Sequence, residues 1–216
     1  KNIVFIDHHR QVVNCIDNAV LSLHEPYASS ASEMVAEVIQ YFGYEQLSSY
    51  YADAMLAGIM LDTKDFVMKT GVRTFEAAAY LKKLGADTVA VKRLFAISIE
   101  TGIKRSQLVE TAEIYNRCAI AASEDSSDGI RIATSQAADE LLGIQGVDAS
   151  FVIYAAGTGA NISARSFGIM NVQIIMEHLG GGGHQTMAAA QLKDISVSDA
   201  KKQLMAAIDE YIRSIS

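Results

Sequence analysis

The chain is 216 residues long, half of them apolar, with a formal charge of −7 and a single proline. That length and apolar content support one large domain or two modest ones and exclude a disordered chain. No window approaches the run of about 18 apolar residues that spans a bilayer, no leader with a cleavage site opens the sequence, and no Lys/Arg-rich stretch exists to wrap long nucleic acid. A short nucleotide remains open, because a few local cations can serve it. Cys15 and Cys118 fit no CxxC or CxxH spacing, so they read as small core residues of a protein from a reducing cytoplasm.

Alternating β-branched runs and helical periods predict an α/β fold. Residues 2–6 read as a first strand, followed by a capping-box spacing, Ser30-x-x-Glu33. Met34, Val35, Val38, Ile39 and Phe42 then mark one helical face until Gly43. Residues 52–61 read as a buried helix with Asp62 and Thr63 at its exit, and 74–84 and 88–95 as helices broken at Gly85. After a boundary near 103, the pattern predicts a helix over 105–116, strands over 119–122 and 130–134 around a polar loop, and a short helix over 137–142. Residues 151–156 and 161–166 read as a hairpin, and 172–179 as a helix running into Gly180–Gly183. Ser198 is expected to cap a final amphipathic helix that buries Leu204, Ile208, Tyr211 and Ile212.

Three places carry chemistry. Asp7-His8-His9 closes the first strand, where open α/β sheets hold their ligands; the same tripeptide could simply form a turn. Imidazole and carboxylate together suit manganese, iron or zinc better than calcium. Asp62 could equally belong to an exposed polar turn. The four glycines before His184 exceed the single glycine that a helix stop requires, and their consecutive N–H groups can form an anion-binding nest. Arg165 can hold two phosphate oxygens at once, or it can be a solvated strand residue sharing a face with Ser163 and Phe167. Helix capping accounts for Ser29, Ser30 and Ser32 in preference to a phosphate site. Asp53, Asp65, His24 and His178 read as surface groups.

Taken in order, Asp7-His8-His9, the phrase Ala57–Phe66, Asn161–Ser166, Asn171-Val-Gln173 and the glycine–histidine run resemble a DHH-family phosphoesterase with a DHH-associated C-terminal domain. Within it, the wording around Asp62 and Arg165 is similar to the GdpP-type cyclic di-AMP phosphodiesterases rather than to RecJ-like nucleases. Family-II inorganic pyrophosphatases share only the first half. The resemblance implies a parallel-sheet DHH domain, shortened at its N-terminus, over residues 1–102, and a smaller mixed-sheet α/β domain over 103–216.

It further implies a hydrolase of bacterial signalling that opens cyclic di-AMP to linear pApA with two manganese ions. His8 and Asp62 would be metal ligands, His9 would lie near the scissile phosphate, and Asp7 would orient an imidazole. Gly181, Gly182, Gly183, His184, Arg165, Ser163 and Asn171 would bind the nucleotide in a cleft between the halves. The family's earlier metal-binding strands do not occur in this sequence, so the chain is expected to be an incomplete, inactive or impaired piece of an enzyme. Its parent would be anchored in the bacterial plasma membrane, with this region on the cytoplasmic side; the resemblance leaves room for a homodimer. A nanoRNase or 3′-phosphoadenosine phosphatase is the enzymatic alternative, and a nucleotide-binding module without catalysis the other.

Overall fold

The structure, a computed structural model, describes residues 2–9, 16, 18–44 and 46–215. Cys15 lies outside them. The chain divides into two compact units, Lys1–Ala96 and Ile97–Ser216.

In the first unit, β1 (Val4–Asp7) and β2 (Leu21–His24) pair in parallel, with Asp7 opposite His24. Four helices follow: α1 (Ala31–Tyr41), α2 (Ser49–Thr63), α3 (Val72–Lys83) and α4 (Thr88–Leu94). Ser30 caps α1 as its sequence predicts, its Oγ accepting from Glu33 N at 3.0 Å. The rest of the expected box is rearranged, because the Glu33 carboxylate instead accepts from the Ser29 hydroxyl at 2.5 Å. The core is built from Ala36, Ala52, Leu56, Ile59, Ala77, Leu81, Ala86 and Val91.

Two details differ from the sequence reading. The face that α1 buries is Glu33, Met34 and Ala36, while Phe42 is 76% exposed. The stretch 52–61 is not buried all round: α2 buries Ala52, Leu56, Ile59 and Thr63, four residues at helical spacing, and leaves Tyr51 and Leu61 exposed. Gly58 makes room for the Ser32 side chain of α1, since a Cβ there would lie 2.2 Å from Ser32 Oγ.

The second unit comprises α5 (Ile99–Glu110), β3 (Glu113–Tyr115), β4 (Cys118–Ser123), α6 (Ile130–Leu142), β5 (Ala149–Ala156), β6 (Gly159–Ser166), α7 (Val172–His178), β7 (Gly182–His184), β8 (Met187–Leu192) and α8 (Val197–Ile215). Its mixed sheet has the order β3-β4-β5-β6-β8-β7, with β4 and β5 parallel and every other pair antiparallel. Side chains alternate across it as the pleat requires. Ile120, Phe151, Ile153, Ile162, Ala164, Ala188 and Ala190 pack with residues of α7 and α8, and Ala119, Ala121, Val152 and Tyr154 with residues of α5 and α6.

Several expected boundaries move for local reasons. The helix predicted over 105–116 starts at Ile99, because Ser98 Oγ accepts from Thr101 N at 3.1 Å. It ends at Glu110, so that Glu113–Tyr115 can pair with β4 through a tight turn at Asn116 and Arg117, both at positive φ. The strand expected over 130–134 is the start of α6. Its β-branched residues favoured a strand, but Ile130, Ala133, Thr134, Ala137, Ala138, Leu141 and Leu142 bury together at helical spacing. The last helix is capped by Ser196, whose Oγ accepts from Asp199 N at 3.0 Å, and Ser198 lies inside it. Among the described residues no helix is long and apolar enough to cross a membrane.

Candidate active site

The first unit gathers its chemistry at the carboxyl end of β1. Glu25 N donates to Asp7 O at 3.0 Å and prolongs the β1–β2 ladder by one rung, so the backbone entering His8 is held on the β2 side. Asp7 turns its carboxylate onto the following residues: Oδ1 accepts from His9 N at 3.1 Å and lies 2.6 Å from His9 Nδ1. That contact, first among its causes, lowers the Asp7 carboxyl below the ordinary carboxylate range. The orienting carboxylate therefore serves His9.

His8 points elsewhere. Its Nε2 lies 3.4 Å from Asp62 Oδ2, so the two groups read as metal ligands are brought face to face. His8 Nδ1 is buried without a hydrogen-bond partner. A neutral imidazole nitrogen beside a carboxylate is a donor pair that a divalent transition metal accepts, and these two residues fit such an ion in donor type. Among the described residues no group of three or more His, Cys, Asp or Glu side chains is placed to hold one.

His24, read as a surface group, belongs to this cluster. Its Nε2 lies 2.6 Å from the carbonyl oxygen of His9. A carbonyl can only accept, so His24 carries its proton on Nε2 and ties β2 to the loop after β1. The role depends on the parallel register that sets His24 opposite Asp7, which the sequence does not mark. Asp53 and Asp65 have structural partners: Asp53 Oδ1 accepts from Asp87 N at 2.7 Å, and Asp65 lies 3.5 Å from Lys92 Nζ.

Asp62 stands in the last turn of α2, and the chain beyond it is strained. Lys64, Asp65 and Phe66 all have positive φ, 50°, 55° and 65°. Left-handed conformation costs a non-glycine residue roughly 1–2 kcal/mol, and three in succession persist only where their surroundings over-determine them. Here Thr63, fully buried, supplies much of that constraint. Its hydroxyl donates to Ile59 O at 2.7 Å and accepts from Phe66 N at 3.0 Å, and its carbonyl accepts from Val67 N and Met68 N.

The second unit presents a sheet face. Across it, Ser150, Arg165, Met187 and His184 fall in one cross-strand row, and Val152, Ser163, Ala189 and Gly182 in the next. Directly opposed residues project from the same side. Arg165, Ser163, Gly182 and His184 therefore share the face that β5 presents to α6. Beyond β6 that face is open: Met187, Ala189 and Gln191 are exposed, whereas Ala188 and Ala190 are buried. Strand spacing of about 4.8 Å sets Arg165 and His184 about 10 Å apart across β8.

Arg165 is only 7% exposed, which overturns its reading as a solvated strand residue. Its Nε donates to Asp139 Oδ1 at 3.0 Å, NH2 to Ser135 Oγ at 2.5 Å and NH1 to Ala164 O at 3.0 Å. A guanidinium has five N–H groups, so these bonds leave one on each terminal nitrogen for another acceptor. Asn171 is the N-cap of α7, its Oδ1 accepting from Gln173 N at 3.1 Å while its own N–H donates to Tyr211 OH at 2.9 Å. Phe167 lies beyond β6 and is exposed.

The glycine run resolves into separate roles. Gly180 has φ +73° and Gly181 N donates to Met176 O at 2.8 Å, the left-handed stop that ends α7. The N–H groups of Gly180 and Gly181 thus serve helix carbonyls, and no four-residue nest forms. A Cβ on Gly181 would lie 2.2 Å from Ala189 O, and one on Gly183 2.5 Å from Ala188 Cα, so close approach of β8 requires both. Gly180 and Gly182 both have open space where a side chain would stand, but Gly180 needs its positive φ for the helix stop, and Gly182 is the one in β7, on the face of Ser163 and Ala189.

Comparison with known proteins follows these two groups. Residues 1–59 match the DHH family, N-terminal domain, and residues 118–214 match the DHHA1 domain. The chain is 47% identical over 213 residues to "Cyclic-di-AMP phosphodiesterase PdeA" of Listeria monocytogenes, and 49% identical over 213 residues to "Cyclic-di-AMP phosphodiesterase GdpP" of Geobacillus thermodenitrificans. Each alignment covers 97% of this chain and 32% of the relative, so the chain spans about a third of their length. The crystal structure of an exopolyphosphatase-related protein from Bacteroides fragilis superimposes with a TM-score of 0.85 at 22% identity, over 97% of this chain and 64% of that one, and shares the fold.

Proposed function

Since the chain belongs to the DHH family and carries a DHHA1 domain in its second half, we propose that it is the hydrolytic region of a cyclic di-AMP phosphodiesterase that releases linear pApA. The observation that carries this reading is the near-half identity to two cyclic di-AMP phosphodiesterases along 97% of the chain. The pairing of His8 with Asp62 supports it from the structure.

In this reading His8 and Asp62 hold divalent metal, with manganese as the ion and two ions in the working enzyme. Bound metal supplies Lewis acidity, which makes water a usable nucleophile at neutral pH and offsets phosphoryl charge. His9 stands beside the scissile phosphate, its ring oriented by Asp7, and can hold or pass a proton there. The open face of the second unit receives the rest of the nucleotide. Gly182 lets a phosphate approach the backbone, Arg165 offers its two remaining N–H groups, His184 adds a donor and Ser163 a hydroxyl, while Asn171 would contribute from the N-cap of α7. The residues divide as 1–102 for the hydrolytic half and 103–216 for the substrate-binding half. The region acts on the cytoplasmic side of a membrane-anchored bacterial parent.

The test is chromatography of cyclic di-AMP incubated with the intact protein and manganese, beside linear pApA and phosphoadenosine phosphate. Accumulation of pApA, abolished by His8→Ala, is expected. Turnover of the linear substrates with cyclic di-AMP left intact would overturn the assignment of substrate.

A further inference from the structure

We propose that Thr63 is the positioning residue of the Asp62 carboxylate, acting through the left-handed turn Lys64–Phe66. The inference rests on the reading of Asp62 as a metal ligand. Helix ends fray, because their last carbonyls lack partners within the helix, and Asp62 occupies such an end. Here the end is closed. Ile59 O accepts from the Thr63 hydroxyl, Met60 O from Asp65 N at 2.9 Å, and Leu61 O from Lys64 N at 3.4 Å. The Asp65 bond exists only because the chain turns left-handed immediately after Thr63.

That turn lacks the glycine that ordinarily permits it, and contacts hold it instead. The Thr63 hydroxyl accepts from Phe66 N, the Phe66 ring stacks on Phe75 at 5.6 Å and 16°, and Asp65 reaches Lys92 on α4. The Thr63 hydroxyl links both sides, donating back into the helix and accepting from the turn. Valine has the same shape without the hydroxyl, so both bonds would vanish together while the buried volume stayed constant. The last turn of α2 would then fray and release the carboxylate from the position facing His8, where small misplacements weaken metal binding.

The experiment compares Thr63→Val, Thr63→Ser and Asp62→Asn in the intact protein. Manganese binding is measured by calorimetry with the metal alone, amide exchange at Phe66, Val67 and Met68 by mass spectrometry, and kcat and KM on cyclic di-AMP. Thr63→Val should weaken manganese binding about 10- to 100-fold, speed exchange at the three amides, and lower kcat at saturating nucleotide with KM unchanged. Thr63→Ser should restore all three. Faster exchange with unaltered manganese affinity in Thr63→Val would overturn the proposal. Unaltered affinity in Asp62→Asn would instead overturn the ligand assignment beneath it. If Thr63→Val does not fold, Phe75→Ala carries the test, because it removes the stacking partner of Phe66 from an exposed position. Several-fold weaker manganese binding then supports the inference, and unchanged binding overturns it.

Discussion

His8 Nε2 and Asp62 Oδ2 meet at 3.4 Å, one delivered by the end of a strand and the other by the last turn of a helix. The two elements approach from different parts of the first unit, so neither position alone makes a site. Removing either partner should therefore be nearly as damaging as removing both. His8→Ala, Asp62→Asn and the double variant are each expected to lower kcat by at least about 10³-fold, with the double close to the singles, as groups that act as a unit behave. Steady-state kinetics checks this, and multiplicative losses would show that the groups act separately.

The glycine run makes a sharper prediction, because its members differ in what a methyl group would strike. Gly181→Ala and Gly183→Ala should each destabilise the protein by about 1–3 kcal/mol, since β8 backbone occupies the space. Gly182→Ala should leave stability within about 0.5 kcal/mol and weaken nucleotide binding. Denaturant melts read the first effect, and calorimetry with pApA reads the second. Equal loss of stability in all three would remove Gly182 from the ligand-facing role.

Arg165 is held by Asp139 and Ser135, and its proposed role in nucleotide binding can be separated from that structural one. Arg165→Lys retains charge and loses the planar fork, so it is expected to raise the Kd for pApA about 10-fold or more. Asp139→Asn should act in the same direction and more weakly, because it frees rather than removes the guanidinium. Unchanged affinity in Arg165→Lys would confine the residue to joining α6 to the sheet.

The Asp7 carboxyl is depressed chiefly by its hydrogen bond with His9. A depressed folded-state pKa contributes stability that is present above the unfolded value and lost as pH falls through the folded one. The Asp7–His9 contact should accordingly persist at pH 5 and dissolve only below the ordinary carboxylate value of 3.8. Carbon-detected NMR titration of Asp7 follows this, and His9→Ala should move its midpoint upward.

Burial pushes the Cys118 thiol up to about 12. At pH 8 it is almost entirely the unreactive thiol, so iodoacetamide should leave Cys118 unlabelled in the folded protein and modify it in denaturant. Peptide mapping distinguishes that cysteine from Cys15.

The strand ends and the helix exit were legible in the sequence because they depend on local patterns: an apolar run ahead of Asp7, and a small-residue helix ahead of Asp62. The hairpin carrying Arg165 was legible from the turn signal Gly157-Thr-Gly-Ala160 between two runs of strand-forming residues. What was not legible depends on partners distant in the chain. The 130–134 segment alternates like a strand, yet the surface that α6 buries lies on β4 and β5. His24 acquires its role only when β2 lies beside β1. The glycines of 180–183 look alike in sequence, and only the approach of β8 separates Gly181 and Gly183 from Gly182.

The glycine–histidine segment forms β7, three residues paired on one side only and last in the sheet order. Such a terminal rung can detach without opening the layers between β5 and the flanking helices, so its local opening free energy lies well below that of global unfolding. A nucleotide seated against Gly182 and His184 would hold that rung closed. Part of its binding energy would then appear as slowed amide exchange along a single sheet edge, with the core unchanged.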